Sequence, residues 1–440
     1  MRYSLDQALA CVMRRGGFEW LPGLAALSTF RQAVDSVPAY RDLLARLCVD
    51  VERIASLADF QSRVPILDRD SYLLQYPPDL LCRTGTFSQA YTLERIEGTG
   101  RRRGYRVRGA LEDARLVTSL GRLLRDQLQV HRRRTLMLIA WSKDAWPAGQ
   151  RVVRAVEQLV HAKRLRATVV TPGLELDEGL DAARSLVPRF DQTVLVGSAS
   201  WVRALVECGR QAGLRWERHR IHCLGGGTAA TESWRTELAA ALGAVSINCR
   251  RGRQILRLST PVAEPTEVTV ETPMTAIIRQ LAARDDAVAR DLFGPVGRDA
   301  ELFQFDPRRL FAETVDGDLV VTCWATVPLV RYNVHRSGGM LSGSRVRAIL
   351  HDHGYDLKAM LSARGWRPHL VAPFPLLYAS PATDTDDVDP ALHPEHNAVA
   401  TTAEVHTPII AHARRRAALA VPLVNRSPTE PAAKLPVTIR

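Results

Sequence analysis

The chain has 440 residues, a formal net charge of +12, 46% apolar residues and 24% charged residues. That is ordinary globular composition, so wholly disordered and collagen-like classes are excluded, and the length suits two or three domains or one large α/β domain with an extension. Lysine occurs only at Lys143, Lys163, Lys358 and Lys434, and the other 55 of the 59 basic residues are arginine, a bias that GC-rich codons also produce.

Residues 1–80 read as short helices. Residues 24–47 are helix-compatible, with Pro38 interrupting them, and Pro65 and Pro77-Pro78 punctuate the stretch after them. A loop rich in Thr, Gly and Arg is predicted over 84–109. From 110 to 250 helix-period and strand-like segments alternate. Residues 110–128 predict a helix and TLMLIAW (135–141) a strand. Val152, Val153, Val156, Leu159 and Val160 then recur at helical spacing. ATVVT (167–171) is strand-like, and Asp177 is placed to cap a helix over 178–186. QTVLVG (192–197) is the next strand, with Ser198 or Ser200 capping a helix through 206. RIHCLGGG (220–227) is a strand running into glycines. Thr231 caps 232–242, and VSIN (245–248) comes next. This β-α-β-α order predicts a mostly parallel sheet with helices on both faces, whose ligands lie beyond the carboxyl ends of the strands.

After Pro261 the pattern changes. EVTVET (267–272) is a short strand, 274–292 a helix, and FAETV and DLVVT flank the hairpin signal Asp316-Gly317. Another helix is predicted over 344–361. The composition shifts at 383–440, expected to be a short tail or the remnant of a small domain.

Cys11, Cys48, Cys82, Cys208, Cys223, Cys249 and Cys323 form no C-x-x-C pair, which points to scattered reduced thiols. Charge interrupts the first apolar run, and no stretch approaches the ~18 apolar residues of a membrane span. A cytoplasmic protein without a membrane partner is expected. His351-Asp352-His353 with His335 reads as a surface cluster, because residues i and i+2 do not share a helix face. No G-x-S-x-G elbow and no G-x-x-x-x-G-K-[ST] loop occurs.

Three longer segments carry a resemblance. They are SVPAYRDLLAR followed by SLADFQSRVPILDRDSYLLQYP; FDQTVLVGSASWVRALVECGRQAGLRWERHRIHCLGGGTAATESWRTELAAALGA; and RDLFGPVGRDAELFQFDPRRLFAETVDGDLVVTCWATVPLVRYN. In order and spacing, over about 30–380, the chain resembles the phenylacetate–CoA ligase branch of the adenylate-forming (acyl-CoA synthetase) enzymes. The resemblance implies a large N-terminal domain over 1–382 and a truncated C-terminal domain at 383–440. It also implies a two-step reaction, in which a carboxylate attacks the α-phosphorus of ATP and a thiol such as coenzyme A then displaces AMP. ATP/AMP and Mg²⁺ are the cofactors this implies. An acyl substrate, coenzyme A or an acyl carrier protein are the partners.

Carried over position by position, the family's phosphate loop falls on Gly98, Thr99 and Gly100, followed by Arg101, Arg102 and Arg103. Glu97 and the arginines replace its upstream hydroxyls and its lysine-proline. The adenine-side turn falls on Gly225, Gly226 and Gly227, without the family's glutamate. The Tyr-Gly-x-x-Glu motif keeps only Gly252. The ribose motif keeps Arg331-Tyr332, but its aspartate position holds Arg336, and a guanidinium cannot accept ribose hydroxyl hydrogens. Lys434 is the sole lysine of 383–440. No residue is therefore assigned a catalytic role and none a metal. A divergent pseudoenzyme is expected, with ATP-dependent acyl activation lost or strongly altered, serving a biosynthetic pathway as an accessory protein. The alternatives are an active carboxylate–CoA or carboxylate–amine ligase with rewired ATP contacts through Arg101, Arg102 and Arg336, and an arginine-rich module for an anionic carrier protein or nucleic acid. No aromatic residues interleave the basic runs, so nucleic acid is not expected as a partner.

Overall fold

In the computed structural model, which describes residues 21–96, 104–140, 147–227, 230–243, 254–259, 269–363 and 375–381, the chain begins with helices α1 (Leu21–Ser36), α2 (Pro38–Arg46) and α3 (Leu57–Arg63). Pro38 opens α2 at a position where its missing N–H is not needed. Ser56 and Asp59 cap α3 reciprocally. Phe30 contacts Tyr40 and Phe60 edge-to-face at ring-centre distances of 6.3 and 5.9 Å, and Tyr40 and Phe60 extend the chain to Tyr72 and Phe311.

The loop expected over 84–109 contains instead an antiparallel pair, β1 (Ala90–Ile96) and β2 (Gly104–Gly109). Arg106 and Arg108 gave β2 the composition of a loop, although Val107 and Arg108 are both buried. Helix α4 (Ala110–Arg122) continues directly from β2. A Cβ on Gly109 would lie 2.2 Å from the Gln89 carbonyl oxygen and 2.6 Å from Thr326 Oγ1, so the close approach requires glycine. Buried Glu112 closes this joint. It accepts hydrogen bonds from Gly109 N (3.0 Å), Thr326 N (2.6 Å) and Thr326 Oγ1 (2.8 Å).

The central segment alternates β3 (Thr135–Ala140), α5 (Pro147–His161), β4 (Ala167–Val170), α6 (Leu176–Leu186), β5 (Gln192–Ser198), α7 (Ala199–Gln211), β6 (Ile221–Gly226), α8 (Glu232–Ala241), β7 (Ile255–Ser259) and β8 (Thr269–Val270). Their order in the sheet is β4-β3-β5-β6-β7-β8, parallel except for the antiparallel β7–β8 pair. Every residue of β3 is buried because helices cover both faces. Met137, Ile139, Val194 and Val196 pack against Leu120, Val156 and Leu159. Leu136, Leu138 and Leu195 pack on the other face against Val202, Leu205 and Leu238. Asp177 does not cap α6; it lies in the first turn, where a carboxylate still meets the positive helix end.

Then come α9 (Pro273–Ala282), α10 (Asp286–Phe293), β9 (Glu301–Gln304), β10 (Leu310–Val315), β11 (Asp318–Cys323), β12 (Leu329–Leu341), α11 (Gly343–Asp352), α12 (Leu357–Ala363) and β13 (Leu376–Ala379). The strands form an antiparallel sheet in the order β10-β11-β12-β13-β9. Two single helices predicted from sequence are pairs. Asp285 accepts from Ala287 N and Val288 N and starts α10, and Gly354, at φ +79, separates α11 from α12. The hairpin at Asp316-Gly317 forms with both residues at positive φ.

Replacing Glu112 with Leu leaves two backbone N–H groups and a hydroxyl buried without their acceptor. The expected loss is about 3 kcal/mol or more in urea denaturation, and an unchanged midpoint would contradict the joint described here.

Candidate functional site

Strands β5 and β6 end side by side, with Gly197 paired to Gly225 and Ser198 to Gly226. Gly225 and Gly226 close β6, and Gly227 turns the chain at φ +88. A Cβ on Gly225 would come within 2.5 Å of the Trp234 ring, so this glycine is fixed by packing. Trp234 Nε1 donates to the Ala199 carbonyl at 2.8 Å. Ser198 caps α7 and Thr231 caps α8, so both helices start at the carboxyl edge of the sheet. Gly98, Thr99, Gly100, Gly252, the arginines at 101–103, Cys249 and the segment 383–440 lie outside the described residues.

Beside the glycines, Gly225 pairs with Arg257 of β7. Arg257 belongs to a buried network of four arginines and three glutamates. Its Nη2 donates to Glu301 Oε1 at 2.7 Å, and Arg336 Nη2 donates to Glu301 Oε2 at 2.7 Å. Arg336 Nε donates to the Ser380 carbonyl at 2.8 Å. Arg235 Nη2 and Arg279 Nη1 donate to the two oxygens of Glu271, at 2.7 and 3.0 Å. Both arginines also pair with Glu232, at 2.9 and 3.2 Å. Arg235 reaches the Ile255 carbonyl and Arg279 the Ala300 carbonyl. The backbone N–H of Arg257 donates to Glu271 at 3.2 Å. The network thus ties α8 and β7 of the parallel-sheet layer to α9, β9 and β12 of the antiparallel-sheet layer.

The electrostatics are set by burial. Glu271 is 1% exposed. Burial pushes its carboxyl up, but Arg235, Arg279 and Arg257 outweigh that and hold it below the usual carboxylate range. Arg257 moves the other way: burial, reinforced by the charge of Arg279, depresses its guanidinium to about 10. With four cations against three anions, Arg257 is the member least compensated, and its Nε is buried without a hydrogen-bond partner among the described residues.

The structure therefore joins two of the positions picked from sequence. Gly225 sits beside Arg257, and Arg257 reaches Arg336 through one carboxylate. Arg331 serves a different joint. It is buried at positive φ, its Nε donates to Glu313 at 2.7 Å, and its Nη1 donates to the Val64 carbonyl at 2.6 Å. The histidines do not converge: His335 pairs with Asp68 and His353 with Asp291. Among the described residues no group of His, Cys, Asp or Glu could hold a metal ion. No described helix is long and apolar enough to cross a membrane.

Arg235, Arg257, Arg279, Glu271 and Glu301 were missed by sequence reasoning. The available signals were Glu232 and Arg235 one helical turn apart, and charges at apolar positions of strand and helix, as in ILRLS and PMTAIIRQLA.

No protein-family model and no curated protein matches the chain. Solved structures do. The chain is similar to 2-hydroxyisobutyryl-CoA ligase in an open conformation with 2-HIB-AMP and CoA, at 15% identity and a TM-score of 0.51, covering 77% of this chain and 70% of that one. The same ligase with 2-HIB-AMP and CoA in the thioesterification state gives 16% identity and a TM-score of 0.51, covering 77% and 64%. The α/β fold is therefore that of the adenylate-forming CoA ligases.

The sign of the Glu271 shift gives a pH prediction. Its folded pKa lies below the unfolded value of about 4.5, so its stabilising contribution is complete above that value and is lost as the pH falls through the folded value. Thermal melts across the acid range are expected to show a steeper loss of stability for the wild type than for Glu271→Gln, which starts lower by about 3–5 kcal/mol at neutral pH. Parallel acid limbs would contradict this.

Proposed function

We propose that this chain is a divergent adenylate-forming protein in which ATP-dependent acyl activation is lost or strongly altered, and which serves a biosynthetic pathway as an accessory protein. The observation that carries this reading is the state of Arg336. By the resemblance, it stands where related enzymes keep the aspartate for the ribose hydroxyls. Here it offers only donors, and they are held by Glu301 and the Ser380 carbonyl in a buried site. These residues do not fit the ribose of ATP.

The reading as an active ligase with rewired contacts needs Arg336 free for phosphate. Its pairing with Glu301 weighs against that. The phenylacetate–CoA ligase branch remains the subfamily we assign from the three sequence segments. We assign 1–382 to the large domain and 383–440 to a tail or lid remnant. An acyl substrate with coenzyme A or an acyl carrier protein is the partner class in keeping with the fold, since the ligase neighbours were solved with an acyl-adenylate and CoA.

Pyrophosphate exchange with a panel of carboxylic acids, together with calorimetric titration of magnesium-ATP to millimolar concentration, tests this proposal. The expected outcome is no exchange and no saturable heat. Robust ATP-dependent exchange with any acid would overturn it.

A further inference from the structure

The other edge of the parallel sheet carries a feature unrelated to the glycine turn. Strands β4, β3, β5 and β6 are parallel neighbours and start in register: Thr135 pairs with Ala167 and Gln192, and Thr193 with Ile221. The segments that feed them therefore emerge along one line. Residues 162–166 lead into β4, 131–134 into β3 and 215–220 into β6, and together they hold nine arginines and lysines against one acid, Glu217. Between them, Arg189 and Asp191 precede β5, and Asp191 is paired with Arg134 at 3.0 Å. These segments are far apart in sequence, and only Arg132-Arg133-Arg134 forms a basic run of its own.

At about 4.8 Å between neighbouring strands, the four strand starts span about 15 Å. Duplex nucleic acid carries about nine phosphate charges over that length, one per ~1.7 Å of axis. Arg132, Arg164 and Arg218, one from each segment, are exposed. His131 and His219 both lie below their ordinary values, first through burial and then through Arg132 and Arg218.

What the row lacks decides the partner. None of the exposed large hydrophobic side chains among the described residues falls in these segments. An acidic protein would need apolar or aromatic anchors there. Trp216, the one indole in the three segments, is buried, and its Nε1 donates to the Val206 carbonyl at 2.9 Å, so it cannot stack on an unpaired base; the imidazoles of His131 and His219 are half-buried. Guanidinium groups spaced along a line, without stacking platforms, match a phosphate backbone read without sequence.

We propose that the arginine row at the amino edge of the parallel sheet binds the phosphodiester backbone of duplex nucleic acid, independently of sequence. The site lies at the sheet edge opposite the glycine turn and does not depend on the reading of the nucleotide pocket. The test is fluorescence anisotropy of the full chain with a labelled duplex of about 20 base pairs, in DNA and RNA forms, across a salt series. Binding is expected to weaken with salt at a slope of about 0.9 per phosphate engaged. The triple variant Arg132→Glu, Arg164→Glu, Arg218→Glu should bind at least ~10-fold more weakly, with a slope lower by about three. A control triple elsewhere on the surface, Arg31→Glu, Arg41→Glu, Arg347→Glu, should change neither the affinity nor the slope by comparable amounts. If circular dichroism shows that the first triple does not fold, Arg164→Ala should still lower the slope by about one. No duplex binding at low salt, equal losses in both triples, an unchanged slope in Arg164→Ala, or binding of phosphatidylserine vesicles or an acidic protein in place of the duplexes would each overturn the proposal.

Discussion

The architecture depends on Glu301 holding two arginines that come from different sheets. Arg257 reaches it from the parallel sheet, and Arg336 from the long strand of the antiparallel sheet. A guanidinium removed from water costs several kcal/mol unless it is matched by carboxylates and carbonyls. The cost is met here because each carboxylate serves more than one donor: Glu271 takes two arginines and a backbone N–H, and Glu232 takes the same two arginines. Shared carboxylates make the pairings mutually dependent, so the carboxyl-side turn of β6, the start of α8 and the core of β12 are set together. Glu112 performs the equivalent task at the other joint, between the start of α4 and the segment before β12, with backbone donors in place of arginines.

This arrangement changes the meaning of the basic composition. Four of the arginines are structural, buried, and balanced by three glutamates at the place where the resemblance puts nucleotide contacts. Arg331 is structural as well, pinning the N-terminal helices to the antiparallel sheet through Glu313 and the Val64 carbonyl. A separate set stands at the amino edge of the parallel sheet and faces solvent. The net charge of +12 is therefore neither a uniform bias nor one site. Among the described residues it includes an interior network that is nearly neutral and a surface row that is not.

Much of the central α/β segment was legible in the sequence, because buried parallel strands such as TLMLIA and QTVLVG are short apolar runs and their helices carry clear caps at Ser198 and Thr231. The β1–β2 pair was not, since its alternating arginines gave the composition of a loop. The single helices expected over 274–292 and 344–361 failed at Asp285 and Gly354, where a cap and a left-handed turn override a continuous apolar period. Of the candidate site, the glycine turn and Arg336 were readable from motif order. The bridge between them was not, because Arg257, Glu271 and Glu301 lie in unrelated segments and acquire their role only when two sheets meet. Motif order also could not show that Arg331 and Arg336, five residues apart in one strand, serve separate joints.

The central claim is that the Glu301 bridge between Arg257 and Arg336 holds the two sheets together. A double-mutant cycle with Glu301→Gln and Arg336→Met, measured by chemical denaturation, tests it most directly. Each single change should cost about 3–5 kcal/mol, and the pair should cost clearly less than their sum, because removing one partner strands the charge of the other. Additive losses, or single changes without measurable effect, would contradict the claim.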